Sequence, residues 1–270
     1  MKVLLVGLGN AGRRHLNLLD KYFDHEVYLF RSAVHPVQLD PVVNHPTLTT
    51  WDQVSDVKPK VALICNPTPM HINSALECAS RGMHLFIEKP FRLFGQSSRD
   101  LQQIVSEKSL ATFVAYPFRF HPTVRMLRNA RLHNKVATIQ CFTQFKNWPK
   151  RKSGDPDIGD GVLLELSHEV DYAVNIFGGI RRIDYVGDDT RASVKIFHHG
   201  SNLSTVTLDL DCPLERRVMM IGDREYRMNV DETTYLRQMK YFFTNLHNTM
   251  MTNNIFDAEV LSGLMEMAHG

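Results

Sequence analysis

Residues 61 to 91 constrain the fold more than any other stretch, because they read as strand, turn, helix and strand in immediate succession. Val61-Ala62-Leu63-Ile64-Cys65 is an apolar run stopped by Asn66-Pro67-Thr68-Pro69, where Thr68 has the hydroxyl of a helix N-cap and Pro69 the fixed φ of a first helical turn. Ile72, Ala75, Leu76 and Ala79 then share one helical face, Gly82 suits the end of that helix, and Met83 to Ile87 read as a second buried strand. Such a crossover joins parallel strands, so the expected architecture is a doubly wound α/β sheet whose ligands bind beyond the strand ends. Glu88-Lys89-Pro90 falls at one of those ends. Pro90 pushes Lys89 towards extended backbone and limits where the amine points, although an exposed lysine after a strand is also an ordinary surface feature.

The N-terminus carries a second unit of the same kind. Lys2 to Val6 is strand-like, Gly7-Leu8-Gly9-Asn10-Ala11-Gly12 follows, and Leu16, Leu19 and Phe23 mark an amphipathic helix. In a dinucleotide-binding turn, Gly7 permits the tight bend, Gly9 lets backbone amides approach a pyrophosphate, and Gly12 allows close helix packing, with the helix dipole facing the anion. The pattern alone is shared with other glycine turns, and its place after an N-terminal strand is what favours the dinucleotide. The next strand, Glu26 to Phe30, ends in Arg31-Ser32, where an NAD site usually offers a carboxylate to the ribose. A guanidinium there pairs with a 2′-phosphate and Ser32 can donate to it, so NADP is favoured over NAD.

Totals narrow the partners. The 270 residues allow two domains of ordinary size. With 31 Lys and Arg against 29 Asp and Glu, no charge excess calls for nucleic acid or a membrane surface. Cys65, Cys78, Cys141 and Cys212 form no Cys-x-x-Cys pair and mostly lie in apolar stretches, so they read as thiols of a reducing compartment. Glycines break the first apolar run within a few residues, so it is expected to be a first strand of a cytoplasmic protein rather than a signal peptide.

Taken together, Gly7-Leu8-Gly9-Asn10-Ala11-Gly12, Asn66-Pro67-Thr68-Pro69-Met70-His71, Glu88-Lys89-Pro90, Arg119-Phe120-His121-Pro122 and Leu166-Ser167-His168-Glu169-Val170-Asp171 make the chain resemble the Gfo/Idh/MocA family of nicotinamide-dependent oxidoreductases. The resemblance implies an N-terminal Rossmann domain and a C-terminal α+β domain whose open sheet often forms a homo-oligomer interface. A domain boundary is expected near residues 117 to 122, giving 1–120 for cofactor and 121–270 for substrate and oligomerisation.

Along the rest of the chain, Ser97 and Asp100 have capping-box-like spacing before a helix to Lys108, and Ala111 to Tyr116 reads as a strand. Val136 to Lys146 partly alternates, and Arg191 to Phe197 and Leu203 to Leu210 flank a hairpin-like turn, His198-His199-Gly200-Ser201-Asn202, so the second sheet is largely antiparallel. Asp231 and Asp257 are candidate caps of two late helices.

Gly161 to Phe177 is expected as one helix, with Leu163, Leu166, Val170, Ala173 and Phe177 on its apolar face. Glu165, His168 and Tyr172 follow helical spacing on the other side, with Asp171 and Asn175 nearby; a solvated polar face meets the same pattern. The resemblance implies a catalytic set of Lys89, His168 and an acid. Glu165 stands three residues before His168 where the family more often has Asp four before, and Asp171 matches a further acid of the family pattern. The resemblance also places Thr68 and Pro69 near the nicotinamide and His71 near the cofactor or the substrate; with the glycine turn, Arg31, Ser32, Asn66, Pro67, Glu88 and Lys89 these are the candidate cofactor contacts, while Lys89, His168 and Tyr172 are candidate substrate contacts and Arg119 and His121 weaker ones that domain-junction packing explains equally well. Oxidising a secondary alcohol requires a base for the hydroxyl proton while hydride leaves, which His168 and the Lys89 cation together supply. Glu165-x-x-His168 and Glu266-x-x-His269 have a di-iron spacing, but an α/β chain is not the four-helix bundle that uses it, so no metal is expected. Lys150-Arg151-Lys152 lies in a connection that can be a mobile loop meeting an anionic substrate group, or simply a solvated charge run. The implied substrate is a sugar, polyol or nucleotide sugar; a non-catalytic dinucleotide sensor and a bilin- or dihydrodiol-type reductase are the alternatives.

Overall fold

The computed structural model describes residues 1–31, 44–144 and 161–269. Ser32 and the Lys150-Arg151-Lys152 run, together with the connection that carries it, lie outside the described residues. The chain divides into two compact units: Met1–Arg92, Gln96–Ala115 and Lys240–Glu259 form the first, and Leu93–Gly95, Tyr116–Met239 and Val260–Gly270 the second. The change at Ala115/Tyr116 falls a few residues before the expected boundary, and Lys240–Glu259 belongs with the first unit although the sequence reading gave it to the second.

In the first unit, β1 (Lys2–Val6), β2 (Glu26–Phe30), β3 (Thr47–Leu48), β4 (Val61–Ile64), β5 (His84–Glu88) and β6 (Thr112–Ala115) form a parallel sheet in the order β3-β2-β1-β4-β5-β6. Val61, Ala62, Leu63 and Ile64 are all fully buried, which requires cover on both faces and explains why this strand reads as continuous apolar sequence without alternation. The order reverses between β1 and β4. Ligands of open α/β sheets bind at that switch point, and the glycine turn and the Asn66 turn leave from it. The β6 edge is covered by the late segment: Val114 N–H donates to the Asn253 carbonyl at 2.6 Å, and Ile255 N–H to Thr112 Oγ1 at 3.2 Å. Phe242 packs on Phe86 with ring centroids 5.5 Å apart, which is why Lys240–Glu259 joins this unit.

In the second unit, β7 (Val136–Gln144), β8 (Ile180–Gly187), β9 (Arg191–His198), β10 (Leu203–Asp209), β11 (Asp211–Ile221) and β12 (Arg224–Arg227) form a sheet ordered β12-β11-β7-β10-β9-β8. Only the β7–β10 pair is parallel, so the expected, largely antiparallel sheet is present. Ala137, Ile139, Cys141, Val194, Ile196, Val206 and Leu208 bury one face at period two, and the helix Ser167–Phe177 packs there.

Local details depart from the sequence reading at the helix ends. Thr68 caps nothing; it opens a short 3₁₀ turn, Thr68–Met70, and the helix runs from His71 to Ser80. The helix after Ser97 starts at Arg99, whose N–H is met by Ser97 Oγ at 3.3 Å without a capping box. Asp231 does serve as a cap, accepting the Thr234 N–H at 2.8 Å. Asp257 does not, because Asn254 Oδ1 takes the Phe256 and Asp257 N–H groups at the start of Ile255–His269. The expected helix over 161–177 is two, Val162–Glu165 and Ser167–Phe177, broken at Leu166. Among the described residues no helix is long and apolar enough to cross a membrane.

Candidate active site

The glycines of the N-terminal turn separate into two kinds. Gly7 has φ +89°, and a Cβ there would lie 2.7 Å from the Cα and N of Asn66; one on Gly12 would run into the Gly7 carbonyl oxygen. These two are required by the fold. Gly9 is not: its φ is −73°, ordinary for any residue, and a Cβ built on it meets nothing within 4 Å. It is the N-cap of the helix Asn10–Tyr22, no side chain caps that end, and a helix start with uncapped amides suits a phosphate. Leu8, Asn10 and Ala11 complete this partly exposed turn.

Arg31 directly follows β2 and is anchored through its N–H to the Leu48 carbonyl at 3.1 Å. Asn66, beyond β4, donates from Nδ2 to Ser74 Oγ at 2.8 Å, and Pro67 and Thr68 remain accessible beside it. His71 is buried, with Nδ1 2.9 Å from the Pro90 carbonyl oxygen and Nε2 2.9 Å from that of Asn66. It therefore ties two strand-end turns together and is closed to a substrate. Glu88, at the end of β5, is buried too. Burial would raise its carboxyl, but the hydrogen bond and charge of His15, with Arg14 and Lys89, outweigh this and bring it down to about 2. Lys89 alone is partly exposed in the otherwise buried run 85–92.

The second unit offers a matching exception. Residues 161 to 173 are buried except His168, whose ring stands edge-on to Tyr116 and Phe118 at 5.9 and 5.4 Å between centroids. The alternative reading of this side as a solvated polar face does not fit Glu165, Asp171 and Tyr172, which are buried. Glu165 is buried, and Asp171, fully buried, takes Arg119 in a bidentate pair, with Nε 3.0 Å from both carboxylate oxygens and an amino nitrogen 2.6 Å from one. Tyr172 is fully buried against Phe118 at 5.3 Å, so its place is in the core rather than on an open surface; burial, then the Glu169 charge, pushes its phenol up. His121 caps the helix Pro122–Asn129, accepting the Thr123 N–H at 3.3 Å. His198, read as the start of a hairpin-like turn, is the last residue of β9 and is buried between the Gly178 carbonyl and Ser204 Oγ, each at 2.8 Å. Glu266 accepts the Gly95 N–H at 2.6 Å, while His269 packs on Phe94 and Tyr185.

Three residues the sequence reading passed over matter here. Glu169, fully buried, pairs with Arg217 Nε at 2.9 Å, and Arg217 also reaches Cys141 Sγ at 3.3 Å. Burial opposes the guanidinium charge, but Glu169 more than compensates, while burial and Glu169 push the Cys141 thiol up to about 12. No local spacing links positions 169 and 217, so this pair had no sequence signal. His15 did have one, since it sits beside Leu16 and Leu19 on the apolar face of its helix.

Residues 1–116 match the family model described as Gfo/Idh/MocA, an oxidoreductase family with an NAD-binding Rossmann fold. Over 180 residues the chain is 22% identical to 4-carboxy-2-hydroxymuconate-6-semialdehyde dehydrogenase of Sphingobium sp., covering 63% of this chain and 57% of that protein. Over 147 residues it is 24% identical to levoglucosan dehydrogenase of Pseudarthrobacter phenanthrenivorans, covering 49% and 37%. The match thus spans about half the length of these curated relatives. Among solved structures, the WlbA (WbpB) dehydrogenase from Thermus thermophilus, in complex with NAD and UDP-GlcNAcA, aligns with a TM-score of 0.81 at 14% identity, over 100% of this chain and 95% of that one. That likeness shows a shared fold.

Proposed function

The chain belongs to the Gfo/Idh/MocA family of NAD-binding Rossmann oxidoreductases, and from that premise we propose that it moves a hydride to or from a carbinol carbon of a sugar, polyol or nucleotide sugar. One observation carries the reading: Lys89 and His168 are each the single accessible residue in an otherwise buried run, each in the place the sequence assigns to the reaction. A nicotinamide dinucleotide, when bound, supplies the ring that accepts or returns the hydride. The glycine turn holds its pyrophosphate through backbone amides, and Gly9, which the fold leaves free to be any residue, is glycine for that close approach. Arg31 favours a 2′-phosphate and hence NADP over NAD.

His168 exchanges the hydroxyl proton, and the Lys89 cation polarises the reacting oxygen or shares the transfer. Asp171 and Arg119 satisfy each other and hold the helix that carries His168. Glu165, buried one short helix away, supports the same segment. Tyr172 packs that helix and leaves substrate contact to His168 and Lys89. The sugar assignment draws on a structural neighbour holding UDP-GlcNAcA and on levoglucosan dehydrogenase among the relatives. The partly exposed face of the second sheet, with Phe142, Phe197 and Leu203, is the surface for a homo-oligomer. The test is reduced-nicotinamide absorbance with NAD and NADP against sugars, polyols, nucleotide sugars and bilins. Turnover on a carbinol of the sugar set supports the proposal; tight dinucleotide binding without turnover on any of them supports a sensor instead.

A further inference from the structure

We infer that Lys89 is held from both sides by two buried imidazoles, His15 acting through Glu88 and His71 acting through Pro90. The inference rests on the reading of Lys89 as a reacting group, and every residue in it belongs to the first unit. His15 is fully buried and donates from Nε2 to a Glu88 carboxylate oxygen at 2.6 Å, across 73 positions of sequence. Its ring also stands edge-on to Phe86, with centroids 5.1 Å apart. Arg14 reaches the same oxygen at 3.4 Å, and the other oxygen accepts the N–H of Lys89 at 3.2 Å. The carboxylate is thus tied to the glycine-turn helix on one side and to the Lys89 backbone on the other.

On the far side of Lys89, the Pro90 carbonyl faces His71 Nδ1 and the Asn66 carbonyl faces His71 Nε2, both at 2.9 Å. A neutral imidazole has one N–H and donates to one carbonyl; the doubly protonated ring donates to both. In either form the ring spans the two turns. With relative exposures of 0% and 1%, neither imidazole can touch a substrate, so both are positioning residues. A core histidine satisfies itself with any nearby carbonyl, whereas these two meet the residues immediately before and after Lys89, the partly exposed residue of the run 85–92. The same contacts anchor Lys89 to the glycine turn and to the Asn66 turn, the segments assigned to the dinucleotide. Removing the His15 donor leaves a buried carboxylate with less to hold it, and that carboxylate no longer fixes the Lys89 N–H.

Reductive ¹³C-methylation of the lysines tests this without a substrate, the Lys89 resonance being assigned by its loss in Lys89→Arg. In His15→Phe, which keeps the edge-on packing and loses the donor, and in His71→Phe, that resonance moves by more than its linewidth while the other lysines stay in place. His15→Gln, which keeps an N–H near the same position, returns it. Should His15→Phe fail to fold, Glu88→Gln gives the same displacement. A Lys89 resonance unmoved in the folded variants overturns the inference. With a substrate in hand, kcat falls about 10-fold or more in His15→Phe at unchanged dinucleotide Kd. Lys89→Met turning over at the wild-type rate sinks the reading of Lys89 itself and the clamp with it. An inactive Lys89→Met beside an unmoved resonance sinks the clamp alone.

Discussion

Replacing Gly9 by alanine separates what the fold needs from what a ligand needs. The new methyl meets nothing within 4 Å, and φ −73° is open to alanine, so no clash or backbone strain arises. Alanine is a poorer N-cap than glycine by up to ~1 kcal/mol, while the stiffer unfolded chain returns about 0.4–1 kcal/mol. The net effect on folding is within ~1 kcal/mol, or about 2–4 °C in Tm for a chain of this size. The effect on binding is larger. If a pyrophosphate lies against this turn, the methyl displaces it from backbone amides, and each lost hydrogen bond to a charged group is worth about 1.5–3 kcal/mol, or ~10- to 150-fold in Kd. Gly12→Ala is the contrast: its methyl runs into the Gly7 carbonyl, so stability and binding fall together, by about 1–3 kcal/mol in folding. Calorimetric titration with NAD and NADP, paired with thermal melts, measures both. A Gly9→Ala protein that binds both dinucleotides with wild-type Kd would refute the argument, because the glycine would then have no purpose.

Other consequences are as direct. Burial lowers the His198 pKa despite its bond to Gly178, so its neutral form is favoured in the fold; the stability it gives is complete above its usual pKa of ~6.5 and lost as pH falls below it. Melts between neutral and mildly acidic pH show a smaller drop in His198→Gln than in wild type. The Glu88 carboxyl, lowered from 4.5 to about 2, gives stability that is present above pH 4.5 and lost as pH falls towards 2. That acid-side loss is of order 3 kcal/mol and is flattened in Glu88→Gln, as denaturant titrations at stepped pH will read. Asp171→Asn removes the buried carboxylate that pairs the partly exposed Arg119 and costs about 3–5 kcal/mol by denaturant unfolding. On the proposed pairing of Arg31 with a 2′-phosphate, Arg31→Asp weakens NADP relative to NAD in the same titrations used for Gly9.

Much of the first unit was legible because its signals are local. The β4 and β5 runs are short, apolar and bounded by turn residues, and the strand order follows once the crossovers are recognised. Lys89 was legible for the same reason, as it sits where a strand stops. The second unit was harder. The polar spacing of Glu165, His168, Asp171 and Tyr172 looks like a wet helical face, yet three of the four are buried, because the partners that neutralise this side come from afar: Arg119 for Asp171 and, next to it, Arg217 for Glu169. Sequence periodicity reports which side is polar and is silent on whether water or a distant guanidinium satisfies it. The helix ends misread at Thr68 and Asp257 failed for local reasons: a 3₁₀ turn, Thr68–Met70, intervenes before the helix that starts at His71, and Asn254 took the capping position ahead of Asp257.

The most direct measurement is single-turnover formation of reduced nicotinamide by wild type, Lys89→Met and His168→Asn, on whichever carbinol substrate the panel identifies. The account predicts that each substitution slows the step by about 10²- to 10⁴-fold while dinucleotide Kd changes little. Wild-type rates in either variant would contradict it.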